Sequence, residues 1–160
     1  MRDAILFREQ FVPRPLPEVF DFFSDAENLA RITPKSLSFR ILTPRPIVMG
    51  VGTRIDYRIG LFGIPMRWQT LISAWEPGVR FVDEQIRGPY ALWHHEHRFE
   101  GVAGGTRMTD RVTYRVPFGP IGAVAKVLFV DRQLRAIFDH RREAIAAYFG
   151  DDREDRRRGD

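Results

Sequence analysis

The strongest candidates for chemistry are two histidines, His95 and His97, which are separated by one residue in a run that begins at Trp93 and ends at Phe99. A β-strand turns successive side chains to opposite faces, so both histidines share one face with these two aromatic residues. Because large aromatic side chains favour a core, this face is predicted to point inward. Histidine titrates near neutral pH, so a buried pair could accept or donate protons.

A carboxylate on the following run could complete an acid–base pair. The run from Thr106 to Val116 alternates between apolar and charged positions. Its inward positions are Met108, Asp110, Val112, Tyr114 and Val116. His95 or His97 would act as the base or the acid and Asp110 would orient it, as a dehydration or an aldol-type cyclisation requires. No motif marks a nucleophile or an oxyanion site.

The predicted interior therefore mixes polar side chains with apolar ones. Buried polar groups are costly unless they are paired. They could pair with one another and with water, or they could line a cavity and fix the polar group of a mainly apolar guest. The predicted ligand-binding residues are Tyr57, Asp83, Gln85, Trp93, His95, His97, Met108, Asp110, Tyr114, Leu134 and Phe138.

A metal site at the same histidines is a further alternative. His95 and His97 could both bind zinc, with Asp110 or Asp83 as the third ligand. Two histidines on one strand face are more often hydrogen-bonded polar residues, so no metal is predicted. The chain has no cysteine and no glycine-rich phosphate loop, and no cofactor is predicted either.

A long amphipathic segment from Pro120 to Phe149 is the element on which the rest of the chain depends. Its main apolar stripe is Val127, Leu134, Phe138, Ile145 and Phe149, and the same face is widened by Val124, Leu128, Ile137, Ala144 and Tyr148. Spacings of four and seven predict one unbroken helix with this face buried. The residues assigned mostly to the opposite, solvent face are Arg132, Arg135, Asp139, Arg141 and Arg142.

Most of the chain before this helix has the period of β-strands. Strands are predicted at 5–12, 37–41, 54–61, 66–75, 80–85, 92–102 and 106–116. Two short helices are predicted between the first two strands, one containing Val19 and Phe23 and one ending before Pro34. The turns between later strands are too short for crossover helices, so the sheet is predicted to be antiparallel.

Length and composition are those of one soluble domain. The 160 residues carry a net charge of +4 and no run long enough for a signal peptide or a membrane span. We expect a single domain at 1–150, a charged disordered tail at 151–160, and a cytoplasmic protein. The arginines Arg107, Arg111 and Arg115 are predicted to form a solvated outer face rather than a nucleic-acid surface.

Several short segments together resemble a known superfamily. They are Val12-Pro13 with Pro17-Glu18-Val19-Phe20-Asp21-Phe22-Phe23, Asn28-Leu29, Thr33-Pro34, Trp75-Glu76-Pro77, the run 93–99, and Gly105-Thr106 leading to Asp110 and Tyr114. The chain is similar to the START-related (SRPBCC) superfamily, which includes polyketide cyclases. This resemblance implies an α+β helix-grip fold, in which a curved antiparallel sheet of about six to seven strands wraps around a long C-terminal helix, with two short helices after the first strand.

The resemblance implies a cavity between sheet and helix that holds a small hydrophobic or amphipathic molecule. A non-catalytic binding protein, used for transport or sensing, is the expected function. The alternatives are a cyclase, aromatase or dehydratase acting on a polyketide-like substrate and a partner-interaction module. Two apolar tips, 61–64 and 118–121, are expected to pack locally or to gate the cavity mouth. No nucleic acid and no stable membrane insertion are expected.

Overall fold

A single antiparallel sheet forms the body of the computed structural model, which describes residues 2–150. Its strands are β1 Ala4–Val12, β2 Arg40–Ile41, β3 Arg54–Leu61, β4 Ile64–Glu76, β5 Arg80–Arg87, β6 Leu92–Val102 and β7 Gly105–Arg115. The strand order is β1-β7-β6-β5-β4-β3-β2. Every strand from β2 to β7 therefore pairs with its neighbour in sequence, and only β1 pairs with a distant strand. This arrangement confirms the predicted antiparallel sheet. The predicted tail, 151–160, lies outside the described residues.

Short helices close one end of the sheet. The helix α1, Leu16–Ser24, has proline in its first turn and buries Val19, Phe20, Phe22 and Phe23. A 3-10 helix at Ala26–Ile32 follows, capped by the Asp25 side chain, which accepts a hydrogen bond from the Glu27 amide at 2.9 Å. The strand predicted at 37–41 shrinks to the two residues of β2, because a second 3-10 turn, Lys35–Leu37, ends with Ser38 in the left-handed conformation.

The prediction of one unbroken C-terminal helix is wrong. The segment comprises α2, Gly119–Ala125, a π-helical turn at Lys126–Val130, and α3, Asp131–Phe149. A π turn adds a residue to the helical repeat and so rotates the apolar stripe out of phase with the helix that follows. Val124, Val127 and Leu128, predicted to be buried, are consequently 57–70% exposed.

The core is divided into two apolar clusters by a layer of polar side chains. One cluster packs β3, β4 and β6 against Leu134 and Phe138 of α3. The other packs α1 and the strands β5 to β7 against Ile145 and Phe149 of α3. Between Phe138 and Ile145 on this helix lies Arg141, which is 6% exposed. The assignment of Arg141 to the solvent face of the helix is therefore wrong.

The outward face of β7 carries the predicted arginines. Arg107 lies 3.3 Å from Glu100 and Arg115 lies 2.7 Å from Asp3, so both are engaged in ion pairs within the chain. Of the two apolar tips, Leu61 is buried as local packing requires, whereas Phe62, Ile64, Phe118 and Ile121 are all more than half exposed. Among residues 2–150, no helix has the length and apolarity needed to cross a membrane.

Candidate functional site

A cavity of about 170 Å³ lies between the inner face of the sheet and α3. Its walls are mostly apolar and aromatic, with Trp68 and Trp93 from the sheet and Leu134, Ile137 and Phe138 from the helix. The short helices after β1 contribute a further apolar wall. Every second residue of β3, β4 and β6 faces α3, and these inner positions carry mostly large apolar side chains.

One polar group in the apolar wall is fully engaged with its neighbours. Thr70 is buried, and its Oγ1 accepts a hydrogen bond from the Trp68 indole nitrogen at 3.1 Å. The Tyr57 hydroxyl lies 3.3 Å from the same oxygen. Burial, with a smaller contribution from the charge of Asp83, raises the pKa of Tyr57, so this phenol stays neutral. The group shapes the wall without placing a charge in it.

A cluster of ionisable side chains forms the other end of the cavity. The strand register explains its assembly, since Asp83 lies opposite His95, and His97 lies opposite Asp110. His97 Nε2 is 2.6 Å from Asp83 Oδ2, and its Nδ1 is 3.1 Å from Asp110 Oδ1. His95 Nε2 is 2.9 Å from the same Asp110 oxygen, and its Nδ1 is 3.5 Å from Asp83 Oδ2.

Arg141 joins this cluster from the helix side. Its Nε and Nη2 donate to the two carboxylate oxygens of Asp110 at 3.3 Å and 3.2 Å, which is the bidentate geometry that arginine favours. The side chains of Arg141 and Asp110 are each 8% exposed. The guanidinium also lies 5.2 Å from the ring centre of Phe23, close enough for a cation–π contact. The helix is thus tied to the sheet at the level of the polar layer.

The charges in this ionic cluster balance when one histidine is protonated. Burial would raise the pKa of Asp110, but the charge of Arg141 and hydrogen bonds from both histidines hold it well below its usual range. Burial likewise acts to raise the pKa of Asp83, and the neighbouring histidines and Arg141 outweigh it, so that pKa is lowered. The two carboxylates are therefore ionised, and they require two positive charges nearby.

The two histidines titrate in opposite directions. Burial disfavours the charged form of His97, but its hydrogen bonds to Asp110 and Asp83 outweigh burial and raise its pKa. Burial and the adjacent charge of His97 lower the pKa of His95 in spite of the same carboxylates. These opposite shifts favour His97 over His95 as the histidine that shares the positive charge of the cluster with Arg141. His97 also stacks on Phe81 with ring centres 4.2 Å apart.

These arrangements agree with the results of sequence and structure comparison. Residues 12–139 match the family model described as polyketide cyclase / dehydrase and lipid transport. The chain belongs to this family. The match spans β2 to β7 and the first part of α3, so it includes every residue of the candidate site except Arg141. No curated protein sequence matches the chain.

Solved structures show that the family fold is widespread. The aromatase/cyclase ZhuI from Streptomyces sp. R1128 superposes with a TM-score of 0.73 at 13% identity, over 92% of this chain and 93% of that one. TTHA0849 from Thermus thermophilus gives a TM-score of 0.69 at 18% identity, over 91% and 99%. The major latex-like protein 151 of Panax ginseng gives 0.62 at 10% identity, over 93% and 99%. At these identities the likeness establishes the helix-grip fold alone.

Seven of the predicted ligand-binding residues line the cavity of this family member. They are Tyr57, Asp83, Trp93, His95, His97, Leu134 and Phe138. Asp110 lies behind the histidines, where it contacts them and a small cleft next to β1. Of the three predicted catalytic residues, the two histidines therefore reach the cavity and Asp110 orients them from the far side.

The other three predicted residues lie elsewhere. Met108 is buried in the second apolar cluster. Tyr114 donates from its hydroxyl to Asp131 at 2.6 Å. Gln85 makes two hydrogen bonds to the backbone of Tyr90, which hold the turn between β5 and β6. Gln85 keeps the register of Asp83 and lies opposite Thr70 on β4, but its hydrogen bonds direct the amide group to the turn instead of the cavity.

Two residues that the sequence analysis did not select contribute to the site. Arg141 escaped notice because arginine on a helix is usually assigned to solvent, yet its spacing from Phe138 and Ile145 is that of the apolar stripe. Thr70 lies two residues from Trp68 and from Ile72 on the inner face of β4. In both cases the strand or helix period indicated an inward-facing position, but the polar residue type argued against it.

Proposed function

We propose that this protein binds a small, mainly apolar molecule that carries one polar group. The observation that supports this proposal most directly is a cavity with an aromatic wall at one end and the ionic cluster at the other. An apolar guest gains free energy by leaving water for such a wall. A hydroxyl or carbonyl on the guest would reach the ionised end, where the charged residues Asp83 and His97 line the cavity.

The size of the cavity supports a small guest. A comparable apolar cavity of about 150 Å³ in another protein accepts benzene. Pockets for drug-sized ligands are larger, at about 300–1,000 Å³. A cavity of about 170 Å³ therefore suits a molecule with one aromatic ring or two small fused rings and a short substituent, such as a phenol or an indole. A guest of this size favours a binding function over the processing of a long polyketide chain.

Intrinsic fluorescence gives a direct test, because Trp68 and Trp93 both line the cavity. Phenol, indole and 1-naphthol should change the tryptophan emission saturably. The variant Ile137→Trp places a bulky side chain in the cavity from a half-buried helix position. It should weaken binding by more than about tenfold, because the indole occupies the space that the guest needs. In Ile137→Trp, binding is measured by competition with a labelled guest, since the new indole adds emission.

The matched control is Ala136→Trp, which adds the same side chain at the neighbouring, exposed position. It should bind each guest as the parent does. Equal affinity of the parent and Ile137→Trp for every guest would contradict the cavity as the binding site. Native mass spectrometry of the freshly purified protein adds a second test, since a guest that co-purifies would appear as extra mass that is lost on denaturation.

A second candidate function is acid–base catalysis, as in a dehydratase or cyclase. It is favoured by one observation: His97 is held between two carboxylates, with its ring at the cavity wall. In the dehydration of a β-hydroxy ketone, a base removes the proton next to the carbonyl and an acid protonates the departing hydroxyl, which leaves as water. Turnover that is lost in His97→Gln while guest binding is retained would support this function over simple binding.

A further inference from the structure

The cavity face of the ionic cluster presents three potential metal ligands at one point. Asp83, His95 and His97 all line the cavity, and one ligand atom from each lies within 4.8 Å of the other two. Asp83 Oδ2 is 2.6 Å from His97 Nε2 and 3.5 Å from His95 Nδ1. They converge because Asp83 on β5 lies directly opposite His95 on β6, and His97 follows two residues later on the same face.

The opposite nitrogen of each histidine is held by one carboxylate. His95 uses Nε2 and His97 uses Nδ1 to contact the same oxygen of Asp110. When each ring donates a proton to Asp110 and the second proton of His97 has left, the free lone pairs are on His95 Nδ1 and His97 Nε2, which both lie beside Asp83. Histidine ligands of metals are commonly fixed in this way by a carboxylate behind them. Arg141, in turn, fixes Asp110 by its bidentate contact.

We propose that Asp83, His95 and His97 form a binding site for a first-row divalent cation, with Asp110 and Arg141 as positioning residues. Two imidazole nitrogens, one carboxylate and no thiolate suit Zn²⁺ or Fe²⁺ better than Ca²⁺ or Mg²⁺. Binding displaces the proton between His97 and Asp83. This inference goes beyond the proposed function and does not depend on it.

The two separations that involve Asp83 need only a small adjustment. Metal–ligand bonds of about 2.0–2.1 Å place tetrahedral ligand atoms about 3.4 Å apart. The separation of 3.5 Å between Asp83 Oδ2 and His95 Nδ1 already has this value. The hydrogen-bonded pair at 2.6 Å must open by less than about 1 Å, which a rotation of the Asp83 carboxylate can supply. The remaining coordination position faces the cavity, where water or an oxygen atom of a guest would occupy it.

Zinc titration of the untagged full chain tests the site. After treatment with a chelator, the parent should bind one Zn²⁺ per chain in a calorimetric competition with a chelator of known affinity. Asp110→Asn, which loosens both histidines, should weaken binding by about 10- to 100-fold. Asp83→Asn and His95→Gln should weaken it at least as much, because each removes a ligand.

The control is His94→Gln, which alters the next residue of the same strand on the opposite, solvent-facing side, where the side chain is 41% exposed. It should leave the zinc affinity unchanged. Parent protein that binds no zinc, or a His94→Gln variant weakened as much as His95→Gln, would overturn the proposal.

Cobalt gives a second measurement that needs no variant. Co²⁺ bound in the predicted site should develop the visible absorption bands of a four- or five-coordinate ion. If the protein gives no more than the weak spectrum of hydrated Co²⁺, the proposal is overturned, even if the variants fail to fold. Binding of phenol or indole to the chelator-treated protein separates the two ideas: guest binding without metal binding refutes this site alone, and metal binding without guest binding refutes the proposed function alone.

Discussion

Replacing Arg141 with methionine should destabilise this protein more than any other single loss of charge in the described residues. Methionine keeps most of the apolar stem and removes the guanidinium. Asp110, whose side chain is 8% exposed, then loses its bidentate partner. Removing one member of a buried ion pair costs about 3–5 kcal/mol, because the remaining charge is left in a poorly solvated site.

That cost is a large part of the total stability. A domain of this size is stable by about 5–15 kcal/mol, and 1 kcal/mol corresponds to about 2–4 °C in the melting temperature. Arg141→Met should therefore lower the melting temperature by about 6–20 °C. Urea denaturation of the chelator-treated protein, followed by circular dichroism, gives the free energy of unfolding directly. The control, Arg142→Met, alters the adjacent exposed residue and should stay within about 0.5 kcal/mol of the parent.

A double-mutant cycle then assigns the loss to the pair. Asp110→Asn removes the charge that Arg141 leaves unpaired, so the double variant should be more stable than the sum of the two single losses predicts, by about 0.5–3 kcal/mol. Additive single losses, or an Arg141→Met variant as stable as Arg142→Met, would refute the reasoning. Either result would mean that the guanidinium does not neutralise Asp110 in the folded protein.

The remaining predictions concern the helix and its junction with the π turn. Phe138→Asp places a charge in the core beside the cavity, and we expect it to abolish the cooperative thermal transition; a melt within a few degrees of the parent would contradict the placement of this residue. Asp131 accepts hydrogen bonds from Lys126 at 2.8 Å and from Tyr114 at 2.6 Å. Burial alone would raise the pKa of Asp131, but these hydrogen bonds outweigh burial, so the pKa is lowered. A carboxyl with a lowered folded pKa contributes stability that is complete above its unfolded pKa of about 3.9 and is lost as the pH falls through the folded value. Asp131→Asn should therefore lower stability at pH 7 by about 1 kcal/mol and lose less on acidification than the parent does, as urea titrations at several pH values would reveal.

Much of the sheet could be predicted because strand period and turn residues are local signals. Alternation alone placed His95, His97 and Asp110 on the inner face, and the structure finds all three buried there. The partners within the cluster could not be read from alternation, since they depend on which strands are neighbours and in which register. The contact of His97 with Asp83 arises from the pairing of β5 with β6, and Gln85 departs from expectation because its side chain bonds the backbone of Tyr90.

In the C-terminal helix, residue spacing and residue type gave conflicting predictions of burial. Its main apolar stripe correctly predicted the burial of Leu134, Phe138, Ile145 and Phe149, whereas Tyr148, predicted to widen this face, is 53% exposed. Spacing also placed Arg141 on this stripe, but the rule that arginine belongs in solvent was given more weight. The rule fails here because two buried carboxylates on the sheet need a compensating charge. The π turn at Lys126–Val130 had no counterpart in composition, so the exposure of the residues before it could not be anticipated.

The pairing of β1 with β7 has a consequence for how the chain is made. Ribosomes add about 5–20 residues per second, and roughly one hundred residues separate the end of β1 from the end of its partner. The nascent β1 therefore waits on the order of 5–20 s before β7 exists. During that interval β1 has an unpaired backbone, and Leu6 and Val12, which the folded protein covers, are exposed, so a chaperone has time to bind it. Strands β2 to β7 can pair one after another as they are synthesised. β1 is synthesised before them but can pair only after β7 is complete.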